Sequence, residues 1–235
     1  MRLPLVLLSL LLASPVWANV RDFDGTGDYL DGVTAPTITD ALTVCAWART
    51  DTEKWERIVG AWGNLNAEQG FELGRQFAVT RVYQFEAENA SGTGAIATCT
   101  TSPGSDNVWR FVCGQYDGTN LHCWVNGTSE DTTSLTGDIK TTTNINIGTT
   151  DDSADTDDWN GEIAFVQLYD RVLTSVEMQE QMFRPGSVPN SLLRFWPIWG
   201  VDDPETDLSG NADTLTVVNT TTTANGPAVM MGGAQ

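Results

Sequence analysis

Apolar and polar residues alternate with a period of two in short runs along most of the chain, and turn residues part the runs. That period belongs to strands whose two faces meet different surroundings. It predicts strands at 42–49 (LTVCAWAR), 57–63 (RIVGAWG), 71–75 (FELGR), 76–88 (QFAVTRVYQFEAE) and 94–101 (GAIATCTT). The clearest unit is 109–127, WRFVCGQYDGTNLHCWVNG, where two alternating arms flank Asp117-Gly118-Thr119-Asn120. Glycine supplies positive φ in such a turn, and Asp and Asn tolerate it, so the segment predicts a hairpin that ends at the Asn126-Gly127 turn. Further strands are predicted at 144–148 (NINIG) and 162–169 (EIAFVQLY).

The period changes once. Thr174 and Glu177 form a capping-box pair, Leu173 and Met178 stand where a hydrophobic staple places them, and Pro185 follows. This predicts one short helix over 175–183. Near a dozen strands at sandwich-like spacings, with one helix, make the expected fold class all-β: a two-sheet antiparallel jelly roll.

The first eighteen residues, MRLPLVLLSLLLASPVWA, read differently. A positive start, an apolar run and small residues at Val16 and Ala18 predict a secretory signal peptide over 1–18. The run is too short to span a bilayer comfortably. The expectation is an exported, extracellular or surface-bound protein with one sandwich domain over 19–235. Net charge is −19, or −20 once Arg2 leaves with the signal, and Lys54 and Lys140 are the only lysines. Such a surface repels phosphate backbones and anionic lipids, so nucleic acid and membrane insertion are not expected.

Four cysteines in an exported chain predict two disulfides, with three possible connectivities. Cys113 and Cys123 lie on the two arms of the hairpin, which suggests Cys113–Cys123 and leaves Cys45–Cys99. With one histidine, His122, and no C-x-x-C, the chain has no zinc-site spacing. Asn89, Asn126 and Asn219 begin N-x-S/T sequons, which matter only in a host that glycosylates.

Four blocks resemble laminin-G-like domains of the concanavalin A type: VRDFDGTGDYLDG (20–32), ALTVCAWART (41–50), the hairpin 109–127, and INIG followed by WNGEIAFVQLYDRVLTSVEMQEQM (145–182). The resemblance implies one concave and one convex sheet. It matches Trp47, Trp109, Phe111, Val125, Ile163, Val166, Leu168 and Leu173 to core positions. A fifth block, 191–218, resembles one that precedes the first strand in many relatives, so the order here is that of a circular permutation. Permutation works when termini are close in space, which predicts that the Asp207–Gly210 region lies beside the strand of Phe23. Trp55, Trp62, Trp159 and Trp199 fall nearer loops and are the candidate stacking platforms for a sugar.

The same resemblance implies a structural Ca²⁺. The candidate ligands are Asp24, Asp207 and Asn211, or the acidic stretch from Asp151 to Asp158, which fails the spacing of an EF-hand. Glycosidase relatives carry E-x-D-x-x-E on one strand. Here FEAENA supplies Glu86 and Glu88 on one face, but Ser91 stands at the third carboxylate position. No G-x-S-x-G elbow or phosphate loop is present. The expected function is therefore non-catalytic: a secreted lectin-like binding or adhesion domain that contacts a glycan or surface protein by its concave face or rim loops. The alternative is a structural subunit of a coat, filament or virion surface, which acts by self-association.

Overall fold

A computed structural model describes residues 16–17, 19–50, 52, 54–63, 70–75, 82–102, 106–140, 144–149, 157–200, 202–223 and 226–229. The first strands among these residues are β1 (Val16–Trp17), β2 (Val20–Asp24), β3 (Tyr29–Asp31), β4 (Leu42–Arg49), β5 (Glu56–Ala61) and β6 (Phe71–Arg75). Then come β7 (Tyr83–Glu88), β8 (Gly94–Thr98), β9 (Arg110–Tyr116), β10 (Asn120–Val125), β11 (Thr128–Ser134), β12 (Asn146–Ile147) and β13 (Asn160–Tyr169). After α1 (Ser175–Phe183) follow β14 (Leu192–Trp196), β15 (Thr216–Val218), β16 (Thr221–Thr223) and β17 (Ala228–Val229).

Two antiparallel sheets result. One runs β11-β10-β9-β4-β13-β2-β16, with β14 also on β13; the other runs β15-β3-β12-β5-β6-β7-β8. The short pair β1–β17 stands apart from both. The inward positions of each strand interdigitate between the sheets, with Leu30, Val44, Val59, Leu73, Phe85, Val112, Leu121, Ile147, Ile163 and Trp196 among the buried residues. Burying alternate apolar side chains from two sheets is what holds such a sandwich together. Close approach of the sheets depends on Gly114 of β9. A Cβ there would stand 2.1 Å from the Phe85 ring of β7.

The helix lies where the sequence places it. Thr174 caps it, its hydroxyl accepting from Glu177 N (3.3 Å) while the Glu177 carboxylate accepts from Thr174 N (2.9 Å). Hydrogen bonds from Arg171 and then Thr174 outweigh burial and bring the Glu177 pKa down to about 2. Leu173 and Met178 sink together onto Cys45, Phe111, Cys113 and Tyr169, so α1 covers the outer side of the eight-stranded sheet. Trp47 donates its indole N–H to Met182 O (3.1 Å). Val125, Ile163, Val166 and Leu168 occupy the inter-sheet core as expected. Phe111 and Leu173 belong to the layer under the helix, and Trp47 and Trp109 are half-buried on that outer side.

Two expectations are corrected. The disulfides are Cys45–Cys113 and Cys99–Cys123, not Cys113–Cys123 and Cys45–Cys99. The reason is parity. In the β9–β10 register Cys123 faces Gly114 and Cys113 faces Trp124, so the two hairpin cysteines point to opposite sides of the sheet. Cys45 and Cys113 are direct partners across β4–β9 beneath α1, whereas Cys123 turns inward and reaches Cys99 at the end of β8 in the other sheet. The second correction concerns the strand list. The hairpin ends at the expected Asn126-Gly127 turn, but that turn leads into β11, TSEDTTS, an edge strand that the sequence pattern does not predict because its polar residues carry no alternation to read. The predicted strand 144–148 narrows to β12, and residues 76–81 lie outside the described residues.

The displaced block packs against the start of the chain. β15 pairs with β3 and β16 with β2, and β14 shares one edge of β13 with β2. Phe165, at φ +52, forms the bulge where that edge passes from β2 to β14, and its N–H bonds to Pro197 O (3.0 Å). Arg21 of β2 donates to the Glu205 carboxylate at 2.8 Å. Contact with the N-terminal strands is thus made by Glu205, β15 and β16. Asp207 instead binds Phe195 N.

Candidate functional site

The outer side of the seven-stranded sheet is the face that α1 does not cover. Strand alternation gives it polar side chains, because Tyr83, Phe85, Ala87, Phe71 and Leu73 all point inward. Two rungs cross it. One runs Arg57, Gly74, Gln84, Thr98; the next runs Asn146, Gly60, Glu72, Glu86, Ile96. Gly60 and Gly74, both buried, interrupt the polar side chains in these rungs.

Arg57 anchors these rungs. Its Nε lies 2.7 Å from Glu72 Oε2, and its NH2 lies 3.3 Å from Asp157. Its guanidinium also stacks over Trp55, 5.4 Å from the ring centre. Asn146 accepts from Gly32 N (3.1 Å), and Glu88 binds Lys140. Gln84 is different. It is fully shielded from solvent, and neither its amide nitrogen nor its oxygen has a hydrogen-bond partner. Leaving a buried amide unpaired costs about 1–3 kcal/mol. Beside it, burial raises the Glu86 pKa above the usual carboxylate range, with Arg57 opposing and Glu88 adding to the rise. Of these groups Glu86 is half-buried and offers an acceptor to a hydroxyl group, and Trp55 and Trp62 stand half-buried at the two ends of β5.

The other candidate tryptophans are elsewhere. Trp159 is fully buried in the inter-sheet core, which corrects its reading as an exposed platform. Trp199 is half-buried in the displaced block and lines a cleft of about 120 Å³.

The candidate calcium ligands Asp24 and Asp158 meet at the loop after β2, where Asp28 joins them. Burial pushes the Asp28 carboxyl above its ordinary value, and Asp24, Asp22 and Asp158 add to the rise. The oxygens of this loop are already engaged. Asp24 O accepts from Asn160 Nδ2 (3.0 Å), Gly25 O from Lys54 Nζ (2.9 Å) and Gly27 O from Asn219 Nδ2 (3.0 Å). Asp158 accepts from Gly27 N (2.8 Å) and Thr149 Oγ1 (2.6 Å), and Asp24 Oδ1 from Thr26 N and Oγ1. Calcium needs six to eight oxygens. The Lys54 ammonium on Gly25 O sets a positive charge where a cation would sit against that carbonyl, so the described donors of this loop do not fit the ion.

Asp207 and Asn211 serve their own loop. Asp207 accepts from Phe195 N, Ser209 N, Ser209 Oγ and Asp213 N, and Asn211 donates to Leu193 O (2.7 Å). Asp151 lies outside the described residues. Among the described residues no three His, Cys, Asp or Glu side chains are grouped to hold a metal ion, and no helix is long and apolar enough to cross a membrane.

Two face-to-face antiparallel sheets with a helix on one outer side define a lectin-like sandwich. Residues 24–179 match the laminin-G model of the concanavalin A-like lectin/glucanases superfamily, and the chain belongs to that family. No curated protein matches it in sequence. Among solved structures it is similar to a Bacteroides ovatus protein assigned as carbohydrate binding, at TM-score 0.71 and 16% identity, over 91% of this chain and 61% of that one. It is also similar to a heptameric SAP-like pentraxin of Limulus polyphemus (0.59, 16%, 86% and 96%) and to domains LG4-5 of the mouse laminin α1 chain (0.53, 15%, 68% and 45%). The chain thus spans about three fifths of the Bacteroides protein and under half of the laminin pair. The E-x-D-x-x-E carboxylate series breaks at Ser91.

Proposed function

We propose that the protein is an exported, non-catalytic binding domain that holds a neutral glycan against the outer face of its seven-stranded sheet. The observation that carries this reading is the pair of half-buried rings, Trp55 and Trp62, at the two ends of β5, with the half-buried Glu86 carboxylate on the same sheet. A sugar hydroxyl can donate to Glu86 while Trp55 and Trp62 offer ring faces at either end of β5. The carbohydrate-binding assignment of the Bacteroides protein supports the ligand class, and two disulfides together with the N-terminal signal support export. A glycan array followed by calorimetry tests it. Neutral oligosaccharides are expected to bind, and Trp62→Ala and Trp55→Ala to weaken binding at least ten-fold. A blank array, or binding that neither substitution alters, defeats the reading.

A further inference from the structure

The displaced block builds a second concavity, away from the seven-stranded face. Pro197, Trp199, Asp202, Glu205, Thr206 and Leu208 line its roughly 120 Å³. Each wall is tied to a different part of the fold. Pro197 O accepts from Phe165 N at the β13 bulge (3.0 Å), Leu208 N donates to Phe195 O of β14 (2.8 Å), and Glu205 exchanges two backbone bonds with Leu215 (2.9 and 3.0 Å). Trp199 packs against Val20, Ala164, Phe165 and Phe195 and stays half-exposed. The cleft is therefore held in shape before anything enters it, which spares a ligand the cost of ordering it.

Its chemistry is that of a tryptophan face beside acceptors. Glu205 is 2% exposed, and its hydrogen bonds, from Arg21 Nε (2.8 Å) and Gly200 N (3.0 Å), both fall on Oε1. That leaves Oε2 for a donor in the cleft. Arg21 also binds Asp202 O and Thr220 Oγ1, so the cleft's rear is fixed to β2. Asp202 and Thr206 are exposed at the mouth, and Leu208 shows 47% of its surface to solvent. An apolar wall with a few convergent acceptors suits a ring that is apolar on its face and hydroxylated at its edge. The space equals about four waters of liquid, so it takes part of one ring, the rest lying over the open mouth, and leaves no room for a run of rings. Asp202 at the mouth, on a chain of net charge −19, disfavours acidic sugars.

We infer that this cleft is a seat for a single neutral hexopyranose, the terminal residue of a glycan, with its apolar face on Trp199 and a hydroxyl donating to Glu205. The inference rests on the glycan reading above but uses none of the same residues. The probes are methyl hexopyranosides, titrated into the purified protein while indole N–H resonances are followed by NMR, with Trp199→Phe used to assign the Trp199 signal. The Trp199 resonance is expected to move with saturation, and Trp199→Ala to weaken binding at least ten-fold. Glu205→Gln keeps size and one oxygen but loses the anionic acceptor, and is expected to weaken it several-fold while the melting temperature identifies any loss of fold. If glycosides bind and only Trp62→Ala or Trp55→Ala abolishes binding, this seat is wrong and the broader reading stands. If choline or a lysine peptide, but no glycoside, moves the Trp199 signal, the cleft is a cation seat and the inference falls. If no glycoside or glycan binds anywhere, both readings fall together.

Discussion

Lys54 shows how one side chain can take over a job the sequence suggests for an ion. Its ammonium donates to Gly25 O in a loop that also holds Asp24, Asp28 and Asp158. The loop is thus closed by the protein's own ammonium, and Asp24 accepts from Thr26. Asp24→Asn is expected to lower the melting temperature by the same amount in millimolar calcium and in EDTA. A cost that appears only with calcium present restores the ligand role. Glu86 makes a second residue-scale prediction. Its folded pKa lies above the unfolded value, so its charged form is disfavoured on folding: nothing is lost below the unfolded pKa of about 4.3, and the full cost is felt above the folded one. Glu86→Gln is expected to match the natural protein in urea melts at pH 4 and to exceed it at pH 8. An equal or lower midpoint at pH 8 contradicts the assignment. At this scale the capping box of Thr174 and Glu177 is legible letter by letter, because both partners lie within three residues. The isolation of Gln84 is not, because it depends on what neighbouring strands fail to supply.

Among elements, alternation located most strands, and its failures have physical causes. β11 has solvent on much of both faces and so no apolar signal. The cysteine pairing was readable in principle, since counting back from the 117–120 turn sets 113 against 124 and puts Cys113 and Cys123 on opposite faces. Sharing a hairpin is a weaker constraint than sharing a face. No period announces Arg75 and Glu56, which pair at 3.1 Å with no solvent exposure, joined by Thr52 and by Asn160 N. Burial raises the Glu56 pKa, with Thr52 and Arg75 pulling the other way. A buried pair costs most when half of it is removed, about 3–5 kcal/mol, and little when both partners become apolar. Arg75→Met is expected to lose stability in that range and the Arg75→Met, Glu56→Met double variant to recover most of it. Additive losses in denaturant titrations count against a coupled pair.

For the whole molecule, the four blocks that resemble laminin-G domains fixed the sheet layout well. The displaced block was legible as displaced, but its contact with the first strands runs through Glu205, β15 and β16 and not through Asp207–Gly210. A block's letters say which strand it resembles; only the folded edges say where it docks. The two sheets are also joined covalently by Cys99–Cys123, which closes 24 residues of chain. Loop-closure entropy puts such a bridge at roughly 3–4 kcal/mol. The Cys99→Ser, Cys123→Ser double variant is expected to unfold earlier by about that amount, and peptide mapping should recover Cys45–Cys113 intact from it. Mapping that finds scrambled bridges in the natural protein removes the basis for the comparison.

The Arg21–Thr220 bond spans 199 positions, and β2 receives β16 as its outer neighbour. During synthesis that edge of β2 therefore stays bare until β16 has been made, and any helper that escorts the emerging polypeptide has it to guard.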